Sequence, residues 1–377
     1  MGGMEMSQME FCAPCLFGLE GILAEEMRRQ EIENVRAENG RVLFSGDAHT
    51  LARANLNLRT AERVEIVLGS FEAHSFEDLF QGVKALPWED YIQKHHAFPV
   101  KGWSLNSDLH SIPDCQAIIK KAVVDRLSAK YHIGWFEETG ATLPIRFSIL
   151  KNQVTLMIDT SGAGLHKRGY RANASGAPIK ETLAAAMVSL MRPYDDTVLY
   201  DPFCGSGTLL VEGALLACNV APGLRRKFLA ESWDFLDPKV FMEERSRAMD
   251  AIRREVTFRC IGSDIDPAMV ELTRANAKKA GVGNRIVLSP ADVKDFAPTT
   301  QRGMVVANPP YGERLLDVNT ARDIYKTMGN VFEQKPGWRY GIISPDEEFQ
   351  KFFGRDADKK RKLYNGMLKC NLYLYFK

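Results

Sequence analysis

The fold turns on Val198-Leu199-Tyr200-Asp201-Pro202-Phe203-Cys204-Gly205-Ser206-Gly207-Thr208. Its first three residues read as a short buried strand, and 208–218 as an apolar helix interrupted only by Glu212. Between them stand two glycines, which let a backbone turn tightly and approach a ligand closely. Open α/β sheets bind ligands just outside the carboxyl ends of their strands, which is where this loop lies. No Gly-Lys-Ser/Thr follows, so it is not a phosphate loop. Asp201, which opens it, suits a cationic, amine-bearing ligand rather than the pyrophosphate of a dinucleotide.

Beyond the loop, strands at 258–262, 285–289, 304–307 and 340–344 alternate with helices at 267–280 and 320–333. Upstream, Gly162, Gly164, Gly169 and Gly176 lead to Pro178 and a helix at 179–191. Such alternation predicts a mostly parallel sheet covered on both faces. Strand 360–364, Asn365-Gly366 and strand 367–376 predict that it ends in an antiparallel hairpin. Two more acids follow strands. Asp264, in Ile261-Gly262-Ser263-Asp264-Ile265-Asp266, can accept both hydrogen bonds of a ribose diol. Asp292, in Ala291-Asp292-Val293, can accept from the exocyclic amine of an adenine. One acid after a strand is an ordinary helix cap, but three after three successive strands exceed what capping requires. Asn308-Pro309-Pro310-Tyr311 directly follows Val305-Val306-Ala307. Two prolines cannot continue a central strand. The chain therefore stops in a rigid turn that offers an amide, a free carbonyl and an aromatic ring to one crevice.

The first 160 residues read differently. Strand 8–17, helix 18–29, strands 32–36 and 41–45 across Glu38-Asn39-Gly40, a helix at 47–58 capped by Asp47, and strand 62–71 give the β-α-β-β-α-β order of a ferredoxin-like domain. A helix at 75–86 ended by Pro87, a strand at 98–106, a helix at 113–130 and a hairpin across Lys151-Asn152 follow. The 113–130 helix buries Ile118, Ile119, Ala122, Val123 and Leu127, and carries Lys120, Lys121, Arg126 and Lys130 as a basic stripe.

Composition bounds the rest. At 377 residues with 45% apolar and 26% charged residues, the chain is an ordinary globular protein of two or three domains, not a disordered, collagen-like or coiled-coil one. A net charge of +1 argues against coating nucleic acid by bulk charge. That total hides six more acids than bases in 1–165 and seven more bases than acids in 166–377. The basic surplus lies in Lys167/Arg168/Arg171, Arg225–Lys227 and Lys359–Lys362, expected around a substrate crevice. Any contact of the acidic first half with a nucleic acid would then run through a local patch such as the 113–130 helix. Seven cysteines, an odd number, fit reduced thiols in a cytosol. Cys12-Ala13-Pro14-Cys15 reads as two buried thiols, since no second pair completes a zinc site. No apolar run reaches the length of a membrane span, and Met1-Gly2-Gly3-Met4-Glu5 opens no export signal. A cytoplasmic protein that uses no membrane and no metal is expected.

Asp-Pro-Phe-Cys-Gly-Ser-Gly-Thr at 201–208 together with Asn-Pro-Pro-Tyr at 308–311 resembles the class I S-adenosylmethionine-dependent methyltransferases of exocyclic amines. Leu165-His166-Lys167-Arg168-Gly169-Tyr170-Arg171 with Ala177-Pro178-Ile179-Lys180-Glu181-Thr182-Leu183 narrows this to the THUMP-domain RNA methyltransferases, near the bacterial 23S rRNA guanine-N2 group also labelled N6-adenine-specific methylases. The resemblance implies an α/β Rossmann-like methyltransferase at 161–377, preceded by α+β ferredoxin-like (1–70) and THUMP (71–160) domains. It assigns cofactor contacts to Asp201, Pro202, Phe203, Gly205, Gly207, Thr208, Asp264, Ile265, Asp292, Val293 and Asn308. Catalysis falls to Asn308, Pro309, Pro310 and Tyr311, and Lys180, Glu181 and Thr182 line the methionine end. The expected partner is RNA, rRNA before tRNA, and the expected state a monomer.

Asp264 lies 63 residues after Asp201, against roughly 20 in a simple dinucleotide fold. The excess, 219–255, reads as an insertion near the substrate face; Asp234 and Asp237 compete weakly for the ribose because no apolar strand precedes them. The Asn-Pro-Pro-Tyr motif serves guanine N2, adenine N6 and protein glutamine N5 alike. About 160 residues of RNA-binding text put guanine N2 in RNA first, adenine N6 in RNA or DNA second and glutamine third. An idle methyltransferase fold acting as an RNA-assembly factor is the reading from another class, and the intact acids oppose it.

Overall fold

The computed structural model describes residues 8–171, 178–311 and 317–376. Gly176, Ala177 and the first five residues, used above, lie outside that range.

The first half forms one sheet. Its elements are β1 (Met9–Pro14), α1 (Glu20–Arg29), β2 (Glu33–Glu38), β3 (Arg41–Gly46), α2 (Ala48–Asn57), β4 (Glu65–Glu72), α3 (Phe76–Lys84), β5 (Val100–Leu105), α4 (Ile112–Tyr131), β6 (Ile145–Leu150) and β7 (Gln153–Asp159). Local chemistry sets the corners. Asp47 accepts from Thr50 N–H at 2.8 Å and starts α2. Lys151 and Asn152 both take positive φ in the two-residue turn that joins β6 to β7. The β-α-β-β-α-β order holds. The strands after it do not make a separate sheet, however. β4 pairs with β1 on one side and β7 on the other, giving seven strands in the order β2-β3-β1-β4-β7-β6-β5. Alternation along β4 shows which face is buried but not which strand lies beside it, so the join is invisible in the sequence.

The second half has α5 (Glu181–Leu190), β8 (Val198–Asp201), α6 (Thr208–Ala217), α7 (Lys239–Asp250), β9 (Arg259–Asp264), α8 (Pro267–Ala280), β10 (Ile286–Pro290), β11 (Gly303–Ala307), α9 (Val318–Val331), β12 (Trp338–Ser344), α10 (Phe349–Phe353), β13 (Lys359–Asn365) and β14 (Leu368–Tyr375). The five-residue α10 is too short for its periodicity to show in the sequence. The strand order is β10-β9-β8-β11-β12-β14-β13. β10, β9, β8, β11 and β12 run parallel, and β14 runs antiparallel to both its neighbours. The last strand thus inserts beside β12 and leaves β13 at the edge. Side chains explain this: Leu372-Tyr373-Leu374-Tyr375 are all buried, whereas Lys359-Lys360-Arg361-Lys362 are all exposed and suit only an edge. The chain reverses direction across the sheet between β8 and β11, which opens the crevice that such folds use.

The insertion at 219–255 does not flank the substrate face as expected; it clamps the two halves together. The Arg53 guanidinium of α2 forks onto Glu244 of α7 at 3.1 and 3.0 Å, both largely buried. Trp233 Nε1 donates to Thr142 O at 3.0 Å, and Gly223 packs so closely on Leu56 that a Cβ would lie 2.7 Å from its Cα. Asp234 meets His95 and His96, each at 3.2 Å. Gln93 N–H donates to His96 Nδ1, which leaves the proton on Nε2 to point at Asp234. This grouping has metal-like spacing, but that tautomer makes it a hydrogen-bonded latch. Asp234 is therefore spent on the first half of the chain, and Asp237 accepts from Lys239 N–H.

The described parts of the next motif, 165–171 and 178–183, lie in the same seam. Arg168, expected at the crevice, is buried 3.5 Å from buried Glu212 and donates to the Leu165 and Arg59 carbonyls. The Tyr170 hydroxyl donates to Glu212 at 3.0 Å. Arg225 and Arg226 also spend their guanidinium groups on backbone carbonyls, those of Lys279, Gly164 and Ala163 among them. On α4, Arg126 forks onto Glu89 and Lys120 pairs with Glu138, so half of the basic stripe is neutralised. All seven cysteines are free and buried.

Candidate active site

Register brings the four predicted segments to one edge. Tyr200 pairs with Ile261 on one side and Val305 on the other, and Asp201 with Gly262. Asp264 and Asn308 thus each reach two residues beyond the level of Asp201, on the strands that flank it. Pro290 pairs with Asp264, and Ala291 N–H donates to Asp264 O at 3.0 Å, which brings Asp292 alongside. At roughly 4.8 Å between strands, Asp264 and Asn308 face each other across about 10 Å.

Asp201 is 1% exposed at the end of β8. Burial pushes its carboxyl up to about 8, against the pull of the Phe203 N–H (3.1 Å) and with the Asp264 charge adding to the rise. No cation compensates it among the described residues. Asp264 accepts from Gly205 N–H at 2.9 Å and Asp266 N–H at 3.0 Å, so it holds the glycine loop while keeping lone pairs for a diol. Asp266, not Asp264, caps α8. Asp292 does act as a cap: it accepts from Lys294 N–H at 3.0 Å, which holds its carboxyl below the usual range. Ile265 is 72% exposed beside Asp264, whereas Val293 is buried in the core with Tyr200 and Val305.

The loop is gripped from below. Thr273 Oγ1 donates to Gly205 O at 2.8 Å and Asn276 Nδ2 to Ser206 O at 2.9 Å. These two buried polar residues of α8 were not singled out in the sequence. Their signal is a Thr and an Asn on the face where Val270 and Ala277 are buried. Gly207 has φ +79°, and a Cβ there would fall 2.5 Å from Thr273 Cγ2. Around Gly205, φ +50°, a Cβ would meet nothing nearer than Phe203 O at 3.9 Å, so there is open space beside it. No side chain caps α6 behind the loop; its first-turn N–H groups and positive dipole end face a ligand position. Pro202 is buried, and Thr208 is spent: its hydroxyl accepts from Arg171 at 2.7 Å. Lys180 and Thr182 spend their polar atoms on Glu62, at 3.1 and 2.8 Å. Although burial raises the Glu62 carboxyl, its contacts with His166, Lys180 and Thr182 hold it down to about 2.

Asn308 Oδ1 is buried and has no hydrogen-bond partner among the described residues. Orphaned buried acceptors are uncommon in folded proteins, because each forgoes the hydration it lost. Pro309 is buried behind it. Tyr311 differs from expectation: its ring is buried and its hydroxyl takes a hydrogen bond from Asn365 Nδ2 at 2.8 Å, so it buttresses the crevice rather than presenting an open face.

The chain has known counterparts. Residues 168–373 match the RMKL-like methyltransferase domain, residues 10–65 the RlmL ferredoxin-like domain and residues 73–159 the THUMP domain. The chain belongs to the RMKL-like methyltransferase family. It is 42% identical to YpsC of Bacillus subtilis (strain 168), covering 98% of this chain and 97% of that protein. It is 35% identical to the ribosomal RNA large subunit methyltransferase K/L of Shewanella amazonensis, covering 97% of this chain but 52% of that longer protein. The solved structure of SMU.472 in complex with SAH superposes with TM-score 0.92 at 40% identity, covering 98% of both chains. The RMKL-like chain is therefore a methyltransferase that uses S-adenosylmethionine, and its residues fit that cofactor: an uncompensated buried carboxyl for an ammonium, a free helix N-terminus for a carboxylate, and open space at Gly205. Among the described residues no helix is long and apolar enough to cross a membrane.

Proposed function

We propose that this enzyme methylates an exocyclic base amine of RNA, first guanine N2 of large-subunit rRNA, as a cytoplasmic monomer without a metal. The observation that carries the reading is the buried, unpartnered Asn308 Oδ1 at the carboxyl end of β11. Ferredoxin-like and THUMP matches ahead of the catalytic half, and a large-subunit rRNA methyltransferase among the relatives, support RNA over protein or DNA. On this reading 1–70 and 71–160 serve RNA binding and 161–377 catalysis.

S-adenosylmethionine, when bound, supplies a methyl group on a cationic sulfur that is already electrophilic. Asp201 accepts its ammonium, Asp264 the ribose and Asp292 the adenine amine, with Ile265 and the Val293 backbone alongside and Pro202, Phe203, Gly205, Gly207 and Thr208 shaping the loop. A base amine is a weak nucleophile because its lone pair is delocalised into the ring. Asn308 Oδ1 and the Pro309 carbonyl accept its two N–H bonds, which orients the lone pair and spreads the positive charge that builds on nitrogen. Pro310 fixes the turn, and Tyr311 fixes it to β13. Asn308→Ala is expected to bind S-adenosylmethionine as the wild type does in calorimetry, yet to lose methyl transfer by at least about a hundredfold. Nucleoside mass spectrometry of rRNA and tRNA from a deletion strain tests the substrate. Loss of one N2-methylguanosine from rRNA is expected, and loss of N6-methyladenosine instead would overturn the choice of base.

A further inference from the structure

Tyr311 leads from the catalytic turn to a surface that the chemistry above does not use. Its hydrogen-bond partner Asn365 ends β13, and the preceding residue, Tyr364, meets Phe17 of the first half edge-on, with centroids 6.2 Å apart at 65°. Phe17 is 58% exposed. Backbone geometry holds it there. Gly18, φ +90°, lies so close to β13 that a Cβ would sit 2.6 Å from Lys362 O, and Gly40, φ +74°, packs under the Phe17 ring, where a Cβ would lie 3.1 Å from the ring edge. The hairpin tip, Met367, is 97% exposed. Lys359, Lys360, Arg361 and Lys362 line the same strand in solvent, and among the described residues none of them has an acidic partner. The α4 stripe, by contrast, is half neutralised. Lys362 Nζ stands 5.6 Å from the Tyr364 ring centroid.

We propose that Phe17, Tyr364 and Lys362 form a platform for the nucleotide next to the target, in single-stranded RNA, with its base on the aromatic pair and its phosphate beside Lys362. The proposal rests on the RNA reading above. Exposed aromatics interleaved with unpaired cations are the usual chemistry for unstacked bases and their backbone. Tyr364 directly precedes Asn365, whose hydrogen bond holds Tyr311, and a base held on this platform adds to substrate binding without touching the reacting atoms. It also gives the ferredoxin-like half a direct part in the site, through Phe17.

Unmodified 23S rRNA purified from a deletion strain is the probe. Phe17→Ala should raise KM for that rRNA about tenfold, the effect of one lost base–aromatic stack, while kcat and calorimetric S-adenosylmethionine affinity change less than about twofold; Phe17→Tyr should restore KM. Lys362→Ala should lower the slope of log affinity against log salt by about one. Unchanged KM and salt slope in both variants would overturn the platform. A parallel fall in kcat and cofactor affinity would overturn it too, because the pair would then be structural. If the wild-type protein transfers no methyl group to this rRNA or to any other RNA of that strain, the functional reading itself falls and the platform with it.

Discussion

At the residue scale, Asp201 ties site electrostatics to a measurable pH dependence. Its carboxyl, raised to about 8 by burial, is mostly protonated at neutral pH in the free protein. An ammonium placed beside it favours the charged form and lowers that value. Binding then releases a proton, so affinity should rise as pH climbs from 6 through neutrality. Calorimetry of S-adenosylmethionine binding in two buffers of different ionisation enthalpy should show release of close to one proton at pH 7, and Asp201→Asn should abolish it. A pH-independent affinity between 6 and 8 would remove Asp201 from the amine. Asp264 and Asp292 were legible as acids after strands, yet the structure sorts them: one grips the glycine loop and the other caps a turn. Spacing alone could not separate these roles, because both need a carboxylate just beyond a strand.

At the element scale, α8 does more than cover the sheet. Thr273 and Asn276 hold the two carbonyls of the glycine loop from beneath. Thr273→Val keeps the shape and removes the donor, leaving Gly205 O unpaired. A buried hydrogen bond is worth about 1–1.5 kcal/mol; S-adenosylmethionine affinity should therefore fall about tenfold, with catalysis at saturating cofactor little changed. Equal affinity in the variant would show that the loop holds itself. The helices and most strands of this half could be read from periodicity, since a sheet covered on both faces needs unbroken apolar runs. The hairpin turn falls one residue later than Asn365-Gly366 suggests: Asn365 pairs with Leu368, so Gly366 and Met367 form the loop. Gly366 there takes φ +67°, which a glycine adopts without strain.

At the scale of the whole molecule, the two halves are fastened by buried charge. Arg53 and Glu244 bridge α2 and the insertion, and removing one partner strands the other in a poorly hydrated place. Arg53→Ala should cost about 3 kcal/mol of unfolding free energy in urea, whereas Arg53→Met with Glu244→Leu should cost much less, because no buried charge is left alone. Had the insertion lined the substrate face, the single variant would change KM for RNA and leave stability alone.

By itself the sequence determined the class of fold, the glycine loop after β8, the Asn-Pro-Pro-Tyr turn after β11 and the ferredoxin-like order at the start, because each is written in residues close together along the chain. Tertiary structure alone decided the rest. It merged the first half into one sheet, placed the last strand inside the second, and turned the insertion into a clamp. It also drew Arg168, Arg171, Arg225 and Arg226 into internal hydrogen bonds, leaving Lys359–Lys362 as the unpaired basic run. The physical reason is the same throughout. A charge or a strand edge carries no mark of its partner, and whether it faces solvent or a distant residue is settled only when chain segments a hundred or more positions apart pack together.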